Sequence, residues 1–593
     1  MKLGCLVKGF LTKYSIEYIK KIKIYIIKIN TQGVIKMRQI IGQLFLVINL
    51  VFSSLLLGQI TVPNGYYSGT WAGDTTYLVT GDIYVDYGET LTIGAGAHFK
   101  FQGNYKIQLH GSLIANGTVT DSIIFEPNDT NATNNGQWGG IKVYNYSHSH
   151  ARKVELSYFR TSYGGSGGWP QGAVVIYNSA SHEAGVDSSI ISHGLIHNSS
   201  DRGVSVYSNR RDTNYGQPGT KPFIHLSNLH IHSNQNDGIR IDNNYEAEIK
   251  MDSLNIHDND QEGISVHYNY DMTMISFDSV RSVNNGIRGL YVYRPYNGTN
   301  IKVRNGDFHS NGQNQVEVRY VQSAGGFFSI RNSKIEDAND SYHAVYTYDC
   351  CESNTDLSNV LDFRLNNWGS TVTALMNSGT NPQDLDEIHD FYEGNNYPLV
   401  NYAAFTGANT SNAGFTGEVL ISSAAGADLS NNVPIGTTQI NLHLFDPDLA
   451  ATGSASVTVT SSVDADDEVV TLTESTDRPG YFSGSLALNE TTFRIIEDEE
   501  QFLADVAAEM ENVSQEFPYW SDDEVENRAN STVHALYFED AVERYNNPLS
   551  NNSRDDGSLD IAGAALITAT YTDATGDYGA ADTSSKVTVY GGI

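Results

Sequence analysis

The sequence predicts an all-β protein, in which a right-handed parallel β-helix is followed by a β-sandwich with a helical insertion. Two observations predict the β-helix: a strand phrase that recurs every 25 to 35 residues, and an asparagine that recurs shortly before it. The composition agrees, because the 593 residues include 54 Gly, 36 Tyr and only 13 Pro, and 11% are aromatic. Such proportions favour strands joined by many turns.

The strand phrase begins with a small or polar turn residue and continues with strict alternation of apolar and polar residues. It occurs as GGIKVYN (139–145), RGVSVYS (202–208), DGIRIDN (237–243), EGISVHY (262–268), RGLYVYR (288–294), QVEVRYV (315–321) and AVYTYDC (344–350). A second alternating phrase precedes most copies, for example KMDSLNI (250–256). Alternation points one side chain inward and the next outward. A repeat of this length predicts one turn of a solenoid, with the aliphatic residues stacked inside.

Between the two phrases lies an asparagine, four or five residues before the next strand. The members of this series are Asn198, Asn234, Asn259, Asn285, Asn311 and Asn339. Side-chain amides at one turn of successive coils can hydrogen-bond to the coils above and below. Six asparagines in register therefore predict a stacked amide ladder.

The phrases GDIYVDYGETLTIGAGAHFKFQGN (81–104) and LDFRLNNWGS (361–370) complete the pattern at its two ends. With them, residues 59–405 resemble the right-handed parallel β-helix proteins of the pectin-lyase-like superfamily, particularly large secreted bacterial surface proteins. The resemblance implies the fold. It leaves the function open, because the superfamily includes lyases, hydrolases, epimerases and non-catalytic adhesins.

Residues 406–414 are expected to form a linker, after which residues 415–593 change in character. Alternating stretches such as EVVTLTESTDRPGYFSGSLAL (468–488) and the later ITATYTD resemble an Ig-like β-sandwich module of bacterial surface proteins. An acidic insertion at about 496–546 has a helical pattern.

An export signal is expected at residues 37–58, MRQIIGQLFLVINLVFSSLLLG, with cleavage near Gly58. The alternative is an uncleaved anchor, but the apolar run is short for a membrane span of about 20 residues. Residues 1–36 are interpreted as a mis-assigned start or a disordered segment, with Met37 as the true start. We therefore expect a secreted or cell-surface protein of bacterial type, with no stable membrane span after cleavage.

The charge of the chain is strongly acidic. Its formal net charge is −33, and from residue 411 onward 32 acidic residues face 6 basic ones. We do not expect nucleic-acid binding, because the sequence has no cluster of basic residues that could contact phosphates. The acidity favours solubility, or Ca²⁺ binding outside the cell.

Candidate Ca²⁺ ligands are few, and no other cofactor is expected. They are Asp446, Asp448, Asp573 and Asp577. The alternative is that they are ordinary turn residues. The adjacent Cys350 and Cys351 would form a strained disulfide, and neither a disulfide framework nor a C-x-x-C metal spacing is present.

Outward positions of the main strands predict a ligand-binding face. The candidates are Tyr144, Tyr207, Arg240, Asp242, His267, Tyr291, Tyr293, Glu317 and Arg319. Tyrosine rings pack on sugars and arginine pairs with uronate carboxylates. The predicted partner is therefore a polysaccharide or a cell-surface glycan, bound by a monomeric protein.

Three functions remain open at this point. Non-catalytic glycan or surface binding, or adhesion, is favoured, and a purely structural stalk is one alternative. The other is a polysaccharide lyase, or another carbohydrate-active enzyme, whose candidate catalytic residues are Arg240, His267, Tyr293 and Arg319. A hydrolase would need two carboxylates about 5–9.5 Å apart, whereas Asp242 and Glu317 are expected three coils, or about 14 Å, apart.

Overall fold

The computed structural model describes sixteen stretches of the chain. They are residues 59–129, 138–144, 152–166, 168, 170–177, 188–210, 221–321, 323–336, 342–349, 359–429, 432–462, 467–490, 499–516, 522–546, 558–561 and 564–591. The predicted segments 1–36 and 37–58 lie outside the described residues, as do Asn339, Cys350 and Cys351.

The chain divides into two compact units. The first extends to Ile301 and includes Asn311–Gln313 and Arg319–Phe327, and the second includes Lys302–Ser310, Asn314–Val318 and Phe328 onward. Three strands span this division in the sequence: Asn300–Arg304, Val316–Arg319 and Phe327–Arg331.

The first unit is a parallel β-helix built from two sheets. Sheet 1 contains Gln59–Val62, Gly69–Trp71, Thr76–Val79, Thr90–Ile93, His98–Phe101, Ser112–Asn116, Ile123–Pro127, Lys153–Ser162, Ser188–His197, Phe223–His232, Glu248–Asp252, Asn255–His257, Met274–Asp278 and Arg281–Val283. Sheet 2 contains Gly65–Tyr66, Ile83–Val85, Lys106–Leu109, Gly140–Tyr144, Val174–Tyr177, Val204–Tyr207, Ile239–Asp242, Ile264–His267 and Leu290–Tyr293. The recurring strand phrases therefore form sheet 2.

The interior of the first unit is a stack of aliphatic side chains. In sheet 2, Val204 lies opposite Ile239, Ile239 opposite Ile264, and Ile264 opposite Leu290, with all strands parallel. All four side chains are fully buried. Because coils repeat about every 4.8 Å, these side chains make continuous contact along the core. The fold class predicted from the sequence is confirmed.

A column of asparagines joins successive coils of the first unit. The side-chain Nδ2 of Asn234 donates to Oδ1 of Asn259 at 2.8 Å, that of Asn259 to Asn285 at 2.9 Å, and that of Asn285 to Asn311 at 3.0 Å. Each Oδ1 also accepts the backbone N–H of the preceding asparagine. All four residues are buried, so the amides satisfy turn donors that water cannot reach.

The predicted first member of this column, Asn198, does not belong to it. Ser199 takes the equivalent place, and its backbone N–H donates to Oδ1 of Asn234 at 2.9 Å. Asn198 instead occupies the preceding left-handed turn position, with φ of 55°. The prediction was wrong by one residue.

A second asparagine column follows the strands of sheet 2 and was not predicted. Nδ2 of Asn209 donates to Oδ1 of Asn244 at 2.9 Å, and Nδ2 of Asn244 to Oδ1 of Asn269 at 2.8 Å. Each lies two residues after the end of its strand and is fully buried. This column fixes the turn at the carboxyl ends of the sheet 2 strands.

The second unit contains further parallel strands, a short helix and the predicted sandwich. The parallel strands are Asp307–His309, Lys334–Glu336, Val345–Tyr348, Val360–Asp362, Ile388–His389 and Leu399–Asn401, and the helix is Gly369–Ser378. The sandwich strands are Glu418–Ser423, Gln439–Phe445, Ser454–Ser461, Asp467–Ser475, Arg478–Glu490, Ser558–Ile561, Leu566–Asp573 and Asp582–Val589. These strands pair antiparallel, apart from the pair of Arg478–Glu490 with Ser558–Ile561.

The helical insertion forms two helices, Glu499–Glu516 and Asp522–Asn546. They pack on each other through Phe502, Val506 and Ala529 and their neighbours. Within the described part of the chain, no helix combines the length and apolarity needed to cross a membrane.

A cluster of opposite charges joins the last parallel strands to the sandwich within the second unit. Arg331 Nη1 donates to Glu418 Oε2 at 2.6 Å, and Arg364 pairs with Glu418 and with Asp362 at 2.5 and 3.0 Å. Asp577 lies 3.4 Å from Arg364. Burial opposes ionisation of Asp362 and Glu418, but the two guanidiniums outweigh it, so both carboxyl pKa values lie below their usual range.

We expect Asn259→Ala to lower the free energy of unfolding by about 2–4 kcal/mol, because it leaves the buried backbone N–H and side-chain Nδ2 of Asn234 without their acceptor. Urea denaturation measures the change. Asn255→Ala is the matched control, since within the described part of the chain the one hydrogen bond of the Asn255 side chain is exposed, from Arg281. Equal stability of the two variants would contradict a structural role for the column.

We expect Arg364→Met to cost about 2–3 kcal/mol, because Asp362 and Glu418 lose one of two guanidiniums while Glu418 keeps 35% of its side chain in water. The depressed pKa values stabilise the fold above the unfolded-state pKa of about 4, and this contribution disappears as the pH falls through the lower folded values. The variant should therefore lose less stability than the wild type on acidification. Denaturation at several pH values checks this, with the exposed Arg478→Met as control.

Candidate functional site

Sheet 2 presents its outward side chains in two columns, because parallel register places each residue over the same position of the next coil. The first column contains Lys142, Val175, Ser205, Arg240, Ser265 and Tyr291. The second column contains Tyr144, Tyr177, Tyr207, Asp242, His267 and Tyr293. Most of the predicted ligand-binding residues therefore share one face.

Three tyrosines of the second column stack on one another. The ring centroids of Tyr144 and Tyr177 are 4.8 Å apart, and those of Tyr177 and Tyr207 are 5.6 Å apart, with interplanar angles of 24° and 18°. The hydroxyl of Tyr207 accepts a hydrogen bond from Asn243 Nδ2 at 2.8 Å. Neighbouring rings cover these ring faces, so a ligand here meets ring edges and hydroxyls rather than the stacking platforms expected from the sequence.

The beginning of the first column is covered by the chain itself. Nζ of Lys142 donates to the carbonyl oxygens of Gly168 and Pro170 at 2.8 and 3.2 Å, and Oγ of Ser205 donates to that of Gln171 at 2.6 Å. Burial lowers the pKa of Lys142 to about 8. These two outward positions are structural.

Arg240 forms ion pairs with carboxylates of its own coil. Its Nη2 lies 2.9 Å from Asp242 Oδ2, and its Nη1 lies 3.7 Å from Asp237 Oδ2. Asp237 is buried and also accepts a hydrogen bond from Ser265 Oγ at 2.6 Å. Arg240, predicted as a binding or catalytic residue, therefore acts first as the partner of two aspartates.

His267 lies opposite Asp242 in the register and is enclosed by rings. Its ring centroid is 4.9 Å from that of Tyr291 and 5.5 Å from that of Tyr293. Among the described residues, neither His267 Nε2 nor Asp242 Oδ1, both buried, has a hydrogen-bond partner. Burial, assisted by Arg240 and other nearby arginines, lowers the pKa of His267 to about 2. The imidazole is therefore neutral at physiological pH.

Next to His267, five half-buried side chains form what we call the tyrosine–arginine patch: Tyr268, Tyr293, Arg294, Tyr296 and Tyr320. The Arg294 guanidinium lies 4.6 Å from the Tyr320 ring centroid and 5.5 Å from that of Tyr293. The rings of Tyr293 and Tyr320 meet edge to face at 5.4 Å. No carboxylate of the described residues lies within ion-pair distance of Arg294. Its charge therefore lies against aromatic rings, with no counter-ion among the described residues.

The backbone at this patch is left-handed, as it is at other turns of the coils such as Ser233, Asp258 and Ser310. The residue that follows the strand is left-handed in five successive coils: Ser208, Asn243, Tyr268, Arg294 and Tyr320, with φ between 46° and 58°. Ser and Asn tolerate this region better than bulky Tyr or Arg.

Two predicted residues near the end of the face have different outcomes. Glu317 belongs to the second unit, is 1% exposed and accepts a hydrogen bond from Asn314 Nδ2 at 2.8 Å. Its burial removes it from any ligand face. Arg319 is half-buried and immediately precedes Tyr320 of the patch.

The four aspartates predicted as metal ligands lie in the sandwich. Asp446, Asp448 and Asp573 converge, each with one ligand oxygen within 4.8 Å of the others. Asp577 does not join them, because its carboxylate accepts from Thr416 N at 2.8 Å and lies next to Arg364.

The chain matches no protein-family profile and no curated protein sequence. Three solved structures are similar to parts of it. The A-module of Azotobacter vinelandii mannuronan C-5 epimerase AlgE6 is 14% identical, over 55% of this chain and 81% of that one, with a TM-score of 0.21. The periplasmic alginate epimerase AlgG is 12% identical over 52% and 80%, and Dettilon tailspike protein 10% over 69% and 87%, each with a TM-score of 0.21.

Proposed function

We propose that this is a secreted or cell-surface protein that binds an acidic polysaccharide, without chemical conversion, at the tyrosine–arginine patch of sheet 2. The observation that carries the proposal is the Arg294 guanidinium, held over the Tyr320 ring at 4.6 Å with no ion-pair partner among the described residues. A guanidinium can form two parallel hydrogen bonds with a carboxylate. Aromatic rings beside it can cover the apolar side of a sugar.

The patch suits a polymer better than a small molecule. Tyr268, Arg294 and Tyr320 come from three consecutive coils, each following its own strand. Their backbones are therefore spaced about 4.8 Å apart along the stack. A ligand that touches all three must extend along the coils, as a polysaccharide does.

The patch also supports binding over a purely structural role. A stalk needs stacked side chains and satisfied charges, such as Tyr144 on Tyr177 or Arg240 with Asp242. The Arg294 guanidinium gains cation–π contacts, but no carboxylate among the described residues neutralises its charge. It does supply a charge for an external anion.

We expect Arg294→Gln to weaken polyuronate binding about 10- to 100-fold, because a charge-assisted hydrogen bond contributes roughly 1.5–3 kcal/mol. Arg294→Lys should retain part of the affinity, since it keeps the charge and loses the planar fork. Affinity electrophoresis in gels containing polyuronate, at low and high salt, measures the effect.

The matched control is Arg281→Gln, which removes an exposed arginine from sheet 1. Tyr320→Ala provides a second test without changing the charge. Binding that is as tight to neutral glucans as to polyuronates, or that survives Arg294→Gln unchanged, would sink the proposal.

A polysaccharide lyase is the second candidate, and one observation favours it. The unpartnered Nε2 of His267 and Oδ1 of Asp242 lie next to Arg240 and Tyr293, a grouping of types used for proton transfer. The pKa of about 2 weighs against it, because a general base works best with a pKa near the operating pH. Binding is therefore the better supported function.

We expect no unsaturated-uronate absorbance when the protein is incubated with a panel of polyuronates, and no change in the proton NMR spectrum of the recovered polymers. His267→Gln serves as the comparison, because it keeps Arg294 and should still bind. Absorbance or spectral change that appears with the wild type and vanishes in His267→Gln would establish an enzyme instead.

A further inference from the structure

Three aspartate carboxylates meet at one end of the sandwich. Asp446 follows the strand Gln439–Phe445, Asp448 lies in the short helical turn Pro447–Leu449, and Asp573 ends the strand Leu566–Asp573. One oxygen of each lies within 4.8 Å of the others. Asp446 and Asp573 are 0% and 1% exposed, and Asp448 is open to solvent.

The charge of this cluster is not balanced by the protein. Within the described ranges, no Lys, Arg or His lies at ion-pair distance from any of the three carboxylates. The neighbouring pair of Asp362 and Glu418, by contrast, has two arginines. Burial, and then the adjacent Asp448, raise the pKa of Asp446 to about 8. The site as it stands disfavours its own ionised form.

A second observation points into the cluster. Oδ1 of the fully buried Asp446 has no hydrogen-bond partner among the described residues. Its Oδ2 accepts from the Tyr571 hydroxyl at 2.8 Å. Asp573 Oδ2 accepts from Gly417 N at 2.9 Å, and Asp448 Oδ2 from Thr575 Oγ1 at 3.0 Å. These donors fix the orientation of the carboxylates and leave one buried oxygen available to a further ligand.

We propose that Asp446, Asp448 and Asp573 bind a Ca²⁺ ion. All the donor atoms are oxygens, which hard cations prefer. Oxygens about 2.3–2.6 Å from Ca²⁺ can lie up to about 5 Å apart, which accommodates the spacing here. Mg²⁺ needs a near-ideal octahedron and gives up its waters reluctantly, so an irregular set of three carboxylates favours Ca²⁺. The exposed side of Asp448 leaves room for water as additional ligands.

The ion would also link two segments of the sandwich near its first strand. Asp573 holds the backbone of Gly417, directly before the first strand at Glu418, while Asp446 lies beside the Tyr571 hydroxyl. Bound Ca²⁺ would therefore stabilise the contact between the start of the sandwich and its penultimate strand. This inference is independent of the polysaccharide proposal.

The test uses the full chain after chelator treatment. We expect Ca²⁺ to raise the melting temperature by several degrees, and an equal concentration of Mg²⁺ not to do so. Bound Tb³⁺ should show tyrosine-sensitised luminescence, which is lost when Ca²⁺ displaces the Tb³⁺. Asp448→Asn, at a solvent-exposed position, should fold normally and bind Ca²⁺ at least tenfold more weakly. Asp446→Asn should abolish the response.

Asp467→Asn, on an exposed strand position of the same sandwich, is the control and should behave as the wild type. Tyr571→Phe removes the donor to Asp446 Oδ2, so it should weaken Ca²⁺ binding and reduce the sensitised luminescence. A wild-type melting temperature indifferent to Ca²⁺, or an undiminished Ca²⁺ affinity in Asp448→Asn, would overturn the site.

Discussion

Register between successive parallel coils constrains the rest of the first unit. Because Ile239 lies over Ile264 and Ile264 over Leu290, every side chain has a neighbour of the same position in the next coil. Residue types that are stabilised by contact with the same residue type can therefore repeat in successive coils. They are aliphatic residues inside, amides at the turns and tyrosines outside. The aliphatic interior, the two asparagine columns and the stack of Tyr144, Tyr177 and Tyr207 all result from this register.

The same constraint determines where charges can lie. Like charges in adjacent coils would repel each other at about 4.8 Å. In the first outward column, Lys142 and Arg240 are separated by the neutral Val175 and Ser205. Arg294 escapes the outward columns altogether because it lies on the turn after its strand. There, among the described residues, it contacts aromatic rings rather than a carboxylate, which is why we propose it as the cation for an external ligand.

The periodicity of the sequence predicted the core and most of the asparagine column, because inward positions and turn positions repeat with the coil. It failed where the spacing changed: Asn198 lies six residues before the strand that begins at Val204, whereas Asn234 lies five before Ile239, and that extra residue shifted the ladder to Ser199. Alternation also could not show that tyrosine rings cover each other, or that Asp577 belongs with Arg364 rather than with Asp446. Those outcomes depend on contacts between distant segments.

The coil-to-coil register has an evolutionary consequence. Removing or duplicating a whole coil, such as the 25 residues 239–263, would return every later residue to its former column. A single-residue insertion within a strand would instead exchange its interior and exterior sides. During evolution such a protein can therefore lengthen or shorten by whole coils. Insertions and deletions of other lengths are confined to the loops.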